Sequence, residues 1–210
     1  MSIWHVFDMD GTLLAGSTAS VQVARQLGRV GELTALEGRF ASGDLDTRGF
    51  ALALRELWQD LTPAVVAAAY ESSPWLDRIE DVCADIRARG EHSAVITMSP
   101  DFFARLLASR GFDRVVASTF PALPFSMPID PALILTPADK VRIVDELRRE
   151  RPARTCVAYG DSISDAPLFR HLSATVAVNA DHHLVDIAAA HYRGNDLFEA
   201  YEVGRALVAD

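Results

Sequence analysis

Short apolar runs recur along the chain and stop at polar residues. They cover residues 3–7, 93–97, 114–117, 155–159 and 175–178. Runs of this length that are rich in β-branched and aromatic residues are typical of strands buried in a sheet. The pattern therefore predicts five buried strands, each ending in a polar loop.

Longer segments between these runs place apolar residues at helical spacing. The clearest are 75–89, 102–110 and 140–149, whose apolar positions recur every three or four residues. Strand and helix alternate along this part of the chain. We therefore predict the α/β class, with a parallel sheet covered by helices on both faces.

Residues 15–73 interrupt the alternation. They contain three or four helical segments and no convincing strand, with Gly43, Pro63 and Pro74 at segment boundaries. We predict an α/β core domain of residues 1–14 and 74–210, into which residues 15–73 insert as a small all-helical cap.

The segment 119–137 has a different composition, with five prolines among 19 residues. Proline lacks the backbone N–H that a central strand or a helix interior requires. We predict an ordered surface loop, with Phe120, Leu123 and Phe125 packed beneath it.

Composition and charge exclude several classes of function. The 210 residues carry 29 acidic and 20 basic side chains, a formal charge of −9. The arginines are scattered, so no basic stripe exists to contact a nucleic acid backbone. The basic run at 148–154 is interpreted as the solvated end of a helix.

No stretch reaches the ~18–20 apolar residues of a membrane span, and the N-terminus lacks a signal-peptide pattern. We expect a cytoplasmic protein without a membrane partner.

Cysteine and lysine usage add two expectations. Cys83 and Cys156 lie 73 positions apart in apolar segments, which favours buried free thiols over a disulfide. Nineteen of the 20 basic residues are arginine, and the single lysine is Lys140, at the start of a predicted helix.

Polar residues at the carboxyl ends of the predicted strands are the candidate chemical groups, because ligands of open α/β sheets bind at that edge. Carboxylates, hydroxyls and the Lys140 ammonium at one edge suit a divalent cation and a phosphoryl group, and oxygen ligands favour Mg²⁺. In chain order the strand-end residues are Asp8, Asp10, Thr97, Ser99, Asp161 and Asp165.

These residues lie in motifs that resemble, in order and spacing, those of the haloacid dehalogenase-like hydrolase superfamily. The matching segments are Asp8-Met-Asp-Gly-Thr-Leu, Ala94-Val-Ile-Thr, the isolated Lys140 and Gly160-Asp-Ser-Ile-Ser-Asp. The helical insert resembles the cap of the phosphoserine phosphatase-like branch. The resemblance implies a Rossmann-like core and a magnesium-dependent phosphatase of a small phosphorylated metabolite.

The resemblance also implies a role for each motif residue. Asp8 is expected to attack phosphorus and form an aspartyl-phosphate, while Asp10 protonates the leaving oxygen and then takes a proton from water. Thr97 and Lys140 are expected to contact the phosphoryl oxygens. The implied substrate-binding set is Asp8, Asp10, Gly11, Thr97, Met98, Ser99 and Lys140.

A metal site follows from the same resemblance. The implied Mg²⁺ ligands are the carboxylates of Asp8 and Asp161 and the backbone carbonyl of Asp10. Thr12 is expected to hold the turn after the first strand, and Asp165 to orient Lys140 or the metal-bound waters.

Several alternatives stay open at this stage. Ser99 either replaces Thr97 at the phosphate or forms the N-cap of the next helix, and Asp161 alone would also fit an N-cap. Adjacent His182 and His183 lack a spacing suited to joint ligation and are expected in a surface loop.

The substrate is open as well. In the phosphoserine phosphatases the cap places an acidic residue at the position of Ser17, and a cap arginine, for which Arg48 and Arg55 are candidates, meets the substrate carboxylate. A phosphotransferase or mutase using the same aspartyl-phosphate is the alternative activity, and a receiver-like signalling module is a remote one. The oligomeric state does not follow from the sequence.

Overall fold

A computed structural model describes residues 2–209, in which six parallel strands form one sheet. The strand order is β5-β4-β1-β6-β7-β8, and two-residue strands β2 and β3 pair separately. This confirms the predicted α/β class. The strands are β1 (Ile3–Phe7), β2 (Asp10–Gly11), β3 (Leu14–Ala15), β4 (His92–Pro100), β5 (Arg114–Ser118), β6 (Thr155–Gly160), β7 (Ala174–Val178) and β8 (Ala190–Tyr192).

All five predicted strands are present. The first has the predicted bounds, and β4 is longer than predicted because it continues through the polar residues up to Pro100. Strand β8 was not predicted, since its three residues pair only with β7 at the edge of the sheet and are too few for a periodic pattern.

Nine α-helices occur within residues 2–209. They are α1 (Ala19–Leu27), α2 (Val30–Ala41), α3 (Thr47–Leu57), α4 (Pro63–Glu71), α5 (Ile79–Ala88), α6 (Asp101–Ala104), α7 (Pro137–Glu150), α8 (Ala166–His171) and α9 (Leu197–Ala206). Helices α1–α4 fill the interval in which we expected only helices. The division into a core and a cap domain stays a prediction.

The three predicted helices differ in extent from those observed. The segment 140–149 lies within the longer α7, which begins at Pro137. The segment 75–89 becomes helical only at Ile79, because Trp75 bridges to Leu14 and Arg78 has a left-handed φ of 62°. The segment 102–110 divides into α6 and a 3-10 helix, Arg105–Arg110. Apolar periodicity marked the buried face of each segment but did not determine where the backbone turns.

The sheet buries apolar residues on both faces, as expected for helices on both sides. Along β1, Phe7 packs into one cluster, while Trp4 and Val6 pack into the other. The first cluster includes residues of α5 and α9 together with α1–α4, and the second includes residues of α7 and α8. Cys83 and Cys156 are buried and free, as predicted.

The proline-rich segment 119–137 forms the predicted loop and contacts helix α3, except that Pro131–Leu133 is a 3-10 helix and Pro137 already belongs to α7. Phe120 is buried, and Phe125 lies with its ring centroid 6.1 Å from that of Phe102. Arg55 of α3 donates a hydrogen bond to the Met127 carbonyl at 3.1 Å. Within residues 2–209, no helix is both long and apolar enough to cross a membrane.

Candidate active site

The sheet order brings the strand-end motifs together. Strands β4, β1 and β6 are neighbours, and all run in the same direction. Asp8 follows β1, Thr97 lies near the end of β4, and Asp161 follows β6. The three motifs therefore share the carboxyl edge of the sheet, where α/β folds bind ligands.

Lys140 connects two carboxylates. Its Nζ donates hydrogen bonds of 2.6 Å to Oδ1 of Asp8 and of 2.6 Å to Oδ1 of Asp165. The ammonium is buried, and burial alone lowers its pKa, but the Asp165 and Asp8 carboxylates outweigh that effect and raise the pKa above its ordinary value. Lys140 thus stays cationic at the centre of the site.

Asp165 also holds the loop after β6. Its Oδ2 accepts hydrogen bonds from the backbone N–H groups of Asp161, at 3.1 Å, and Ser162, at 3.4 Å. Gly160 leaves room for this carboxylate, since a Cβ there would lie 2.4 Å from the Asp165 Cγ. A 3-10 helix, Ile163–Asp165, follows, and its N-cap is Ser162, so the alternative of Asp161 as the cap is wrong.

Asp10 is held by two hydrogen bonds. Its Oδ1 accepts from the Ala19 backbone N–H at 2.7 Å, and its Oδ2 accepts from the Ser99 hydroxyl. Burial raises the pKa of Asp10, while the hydrogen bonds from Ser99 and Ala19 oppose the rise. The carboxyl is therefore suited to hold a proton for transfer.

Ser99 and Thr97 have distinct positions. Helix α6 is capped at Pro100, so Ser99 is not its N-cap. The Thr97 hydroxyl is buried and accepts the Ser99 backbone N–H at 3.1 Å. Between them, the Met98 carbonyl accepts a hydrogen bond of 2.7 Å from Ser118. The phosphate-binding roles of these residues stay predictions.

The turn after β1 depends on Gly11. Its φ is 77°, and a Cβ at this position would lie 2.0 Å from Oδ2 of Asp161. Its N–H donates to the Ser17 carbonyl at 2.9 Å. Thr12 is buried, and its hydroxyl donates a long 3.5 Å hydrogen bond to Asp161. The turn thus brings the Gly11 backbone close to the Asp161 carboxylate.

The carboxylates form a cluster that fits a divalent cation. Asp8, Asp161 and Asp165 each offer an oxygen within 4.8 Å of the others. Burial raises the pKa of Asp161 to about 7, and the neighbouring Asp165 carboxylate adds to the rise. Burial also raises the pKa of Asp8, against the effect of Lys140. Both oxygens of Asp165 are engaged, Oδ1 by Lys140 and Oδ2 by two backbone N–H groups, whereas Lys140 contacts only Oδ1 of Asp8. Asp8 and Asp161 are therefore the candidate metal ligands. The contribution of the Asp10 carbonyl stays a prediction.

Neutral groups occupy the predicted recognition position in the segment 15–73. The Ser17 hydroxyl accepts a 2.6 Å hydrogen bond from the buried Gln22 amide. Arg55 is engaged with Met127 and Glu56, and Arg48 is exposed. Gln22 was missed by the sequence analysis; the signal was a polar residue directly before Val23 in the buried part of α1.

Comparisons with known proteins agree with this geometry. The model of the haloacid dehalogenase-like hydrolase family matches residues 5–170. A HAD family hydrolase from Salmonella enterica subsp. enterica serovar Typhi has 22% sequence identity and a TM-score of 0.83, over 94% of this chain and 70% of its own. No curated protein matches the chain.

Two phosphoserine phosphatase structures share the fold over nearly the whole of both chains. A substrate-bound complex has 19% identity and a TM-score of 0.79, over 96% of this chain and 98% of its own. A phospho-aspartyl intermediate analogue has 20% identity and a TM-score of 0.78, with the same coverage. At this identity the likeness concerns the fold, and it agrees with the predicted branch.

Proposed function

Because the chain belongs to the haloacid dehalogenase-like hydrolase family, we propose that it is a magnesium-dependent phosphatase that hydrolyses a small phosphomonoester through an aspartyl-phosphate on Asp8. The observation that carries the proposal is the contact of Lys140 Nζ with both Asp8 and Asp165, 2.6 Å each. It sets an ammonium beside the nucleophile, where the charge of a phosphoryl group needs compensation.

In the first step, an oxygen of the Asp8 carboxylate forms a bond to phosphorus as the bond between phosphorus and the ester oxygen breaks. The leaving oxygen takes a proton from the Asp10 carboxyl, and an alcohol departs. The raised pKa of Asp10 supports this role, because the group must hold a proton before the transfer. The product is an aspartyl-phosphate.

In the second step, Asp10 is a carboxylate and takes a proton from water. The water oxygen attacks phosphorus, the bond between phosphorus and Asp8 breaks, and inorganic phosphate leaves. Asp8 and Asp10 return to their starting protonation states. The hydrogen bonds to Asp10 from Ser99 and the Ala19 N–H keep this carboxyl in one orientation through both steps.

The remaining polar groups bind and orient. Lys140 compensates the phosphoryl charge, Asp165 holds Lys140 in place, and Thr97 supplies a hydroxyl at the end of β4. Asp8 and Asp161 would hold Mg²⁺, with the Asp10 carbonyl as a third ligand. When bound, the ion supplies positive charge that reduces repulsion between Asp8 and the phosphate.

The test is hydrolysis of p-nitrophenyl phosphate in the presence of Mg²⁺. Asp8→Asn should abolish turnover and prevent trapping of a phosphorylated enzyme by acid quench, whereas the matched Asp186→Asn, an exposed aspartate, should behave as wild type. Retained turnover in Asp8→Asn would overturn the proposal. Added alcohols distinguish a phosphotransferase, which would yield new esters instead of phosphate. A screen of phosphorylated metabolites then identifies the substrate.

A further inference from the structure

Asp181, His182 and His183 form an exposed cluster in the turn that follows β7. Each offers one ligand atom, and these atoms lie within 4.8 Å of one another. We propose that the three residues bind a divalent transition metal such as Zn²⁺, Ni²⁺ or Cu²⁺, at a site separate from the carboxylate cluster of the active site.

The turn brings the two imidazoles together. Consecutive residues of an extended chain point in opposite directions, which is why adjacency in sequence does not favour joint ligation. Here the centroids of the His182 and His183 rings are only 3.9 Å apart, with 38° between their planes. The two histidines lie in an exposed turn, as expected, and this turn brings their rings together although they are adjacent in sequence.

Neither imidazole has a competing partner. His5, His92 and His171 each make a side-chain hydrogen bond, whereas across residues 2–209 none is made by the rings of His182 and His183. Because the rings are exposed, a cation and its waters can reach them. Ring nitrogens without partners are available as ligands.

Asp181 completes the donor set and stabilises the turn. Its Oδ1 accepts the His183 backbone N–H at 2.8 Å, which directs the carboxylate toward the histidines. Its own N–H donates to the Asp161 carbonyl at 2.9 Å, so the cluster lies beside the active-site edge. The cluster of Asp181 with the two histidines shares no residue with the carboxylate cluster of the active site.

The donor chemistry selects the metal class. Imidazole nitrogens suit zinc, copper and nickel, whereas an all-carboxylate set suits magnesium. Three protein ligands leave coordination positions for water, so the bound metal should exchange with metal ions in solution. The proposal does not depend on the phosphatase activity, since none of its residues takes part in the proposed reaction.

The experiment measures copper and nickel binding to the whole protein with Mg²⁺ present. Electron paramagnetic resonance of bound Cu²⁺ detects coupling to imidazole nitrogen, a signature that the carboxylate cluster cannot produce. Wild type should bind one equivalent with nitrogen coupling. The double variant His182→Gln, His183→Gln should lose the nitrogen coupling, and calorimetry should detect no stoichiometric Ni²⁺ binding to it.

A control and a further variant complete the design. His191→Gln removes another exposed histidine and should bind as wild type does. Asp181→Asn should weaken binding and keep the nitrogen coupling. Circular dichroism checks that each variant is folded. If the double variant binds with the wild-type affinity and coupling, or if wild type shows no stoichiometric binding, the result is an adventitious cation only and the proposal fails.

Discussion

The Ser99 hydroxyl donates a hydrogen bond to Oδ2 of Asp10, across 89 positions of sequence. Together with the Ala19 N–H on the other oxygen, it holds the proposed acid and base in one orientation. Ser99 therefore contacts Asp10 rather than capping α6. Its contribution to substrate binding stays a prediction.

Removing this hydrogen bond should change the pH dependence of the first step. The Ser99 hydroxyl lowers the pKa of Asp10, against the rise that burial causes, so Ser99→Ala should raise the pKa further. Asp10 must be protonated to release the alcohol, so the alkaline limb of the phosphorylation rate should move to higher pH. The position of this limb is measured from pre-steady-state burst rates at several pH values, with an alkyl phosphate as substrate. Ser109→Ala, at an exposed serine whose hydroxyl donates to the Leu106 carbonyl, is the control. An alkaline limb that moves to lower pH contradicts the assignment.

Replacing Lys140 by arginine should remove most activity. The Lys140 Nζ lies 2.6 Å from both Asp8 and Asp165 in a buried site, and a planar guanidinium is too large to reproduce both contacts. We expect a loss of roughly 10²-fold or more in kcat, typical for a misplaced charge-stabilising group. The charge-conserving Arg142→Lys, exposed on the same helix, should keep wild-type kinetics. Comparable turnover in the two variants would mean that Lys140 only supplies charge.

Gly11→Ala and Gly16→Ala form a matched pair. Both glycines have positive φ, 77° and 57°, so an alanine costs about 1–2 kcal/mol of strain at either. Only at Gly11 does the Cβ collide with Asp161, at 2.0 Å, whereas nothing lies within 4 Å at Gly16. Both variants should therefore lose unfolding free energy, Gly11→Ala the more because Asp161 must shift, and Gly11→Ala alone should require much more Mg²⁺ for half-maximal activity. Equal Mg²⁺ requirements would contradict a ligand role for Asp161.

We expect His5 to contribute to the loss of folding stability at acid pH. It is buried between Glu91 and the Tyr159 hydroxyl, with Arg205 beyond Glu91. Burial lowers the pKa of His5 below 6.5, outweighing the hydrogen bond and charge of Glu91 that raise it; Arg205 lowers it further and Asp85 raises it.

The lowered pKa of His5 determines the direction in which stability changes with pH. The unfolded chain protonates at higher pH than the folded one, so the His5 contribution to stability is full above pH 6.5 and declines as the pH falls below it. Urea unfolding at several pH values, with Mg²⁺ saturating, should show a slope below pH 6.5 that His5→Asn reduces. A matched His92→Asn, at the half-exposed start of β4, should keep the slope. An unchanged slope in His5→Asn would contradict the assignment.

The sequence was sufficient for features that depend on neighbouring residues. Apolar runs predicted five of the six strands of the main sheet, and the polar residues that end them predicted the candidate site, because all parallel strands end at one edge. Asp8, Thr97 and Asp161 reach this edge because each follows its strand or lies near its end. Lys140 was recognisable because no other lysine occurs.

Tertiary structure decided the features that join distant positions. Neither the Ser99 bond to Asp10 nor the contact between Gly11 and Asp161 has a local pattern, because each depends on how loops from different strands meet. The pairing of His182 with His183 depends on a turn that periodicity does not encode. The sequence by itself determined which groups line the edge of the sheet; packing determined which of them touch, since hydrogen bonds require distances that only the folded chain fixes.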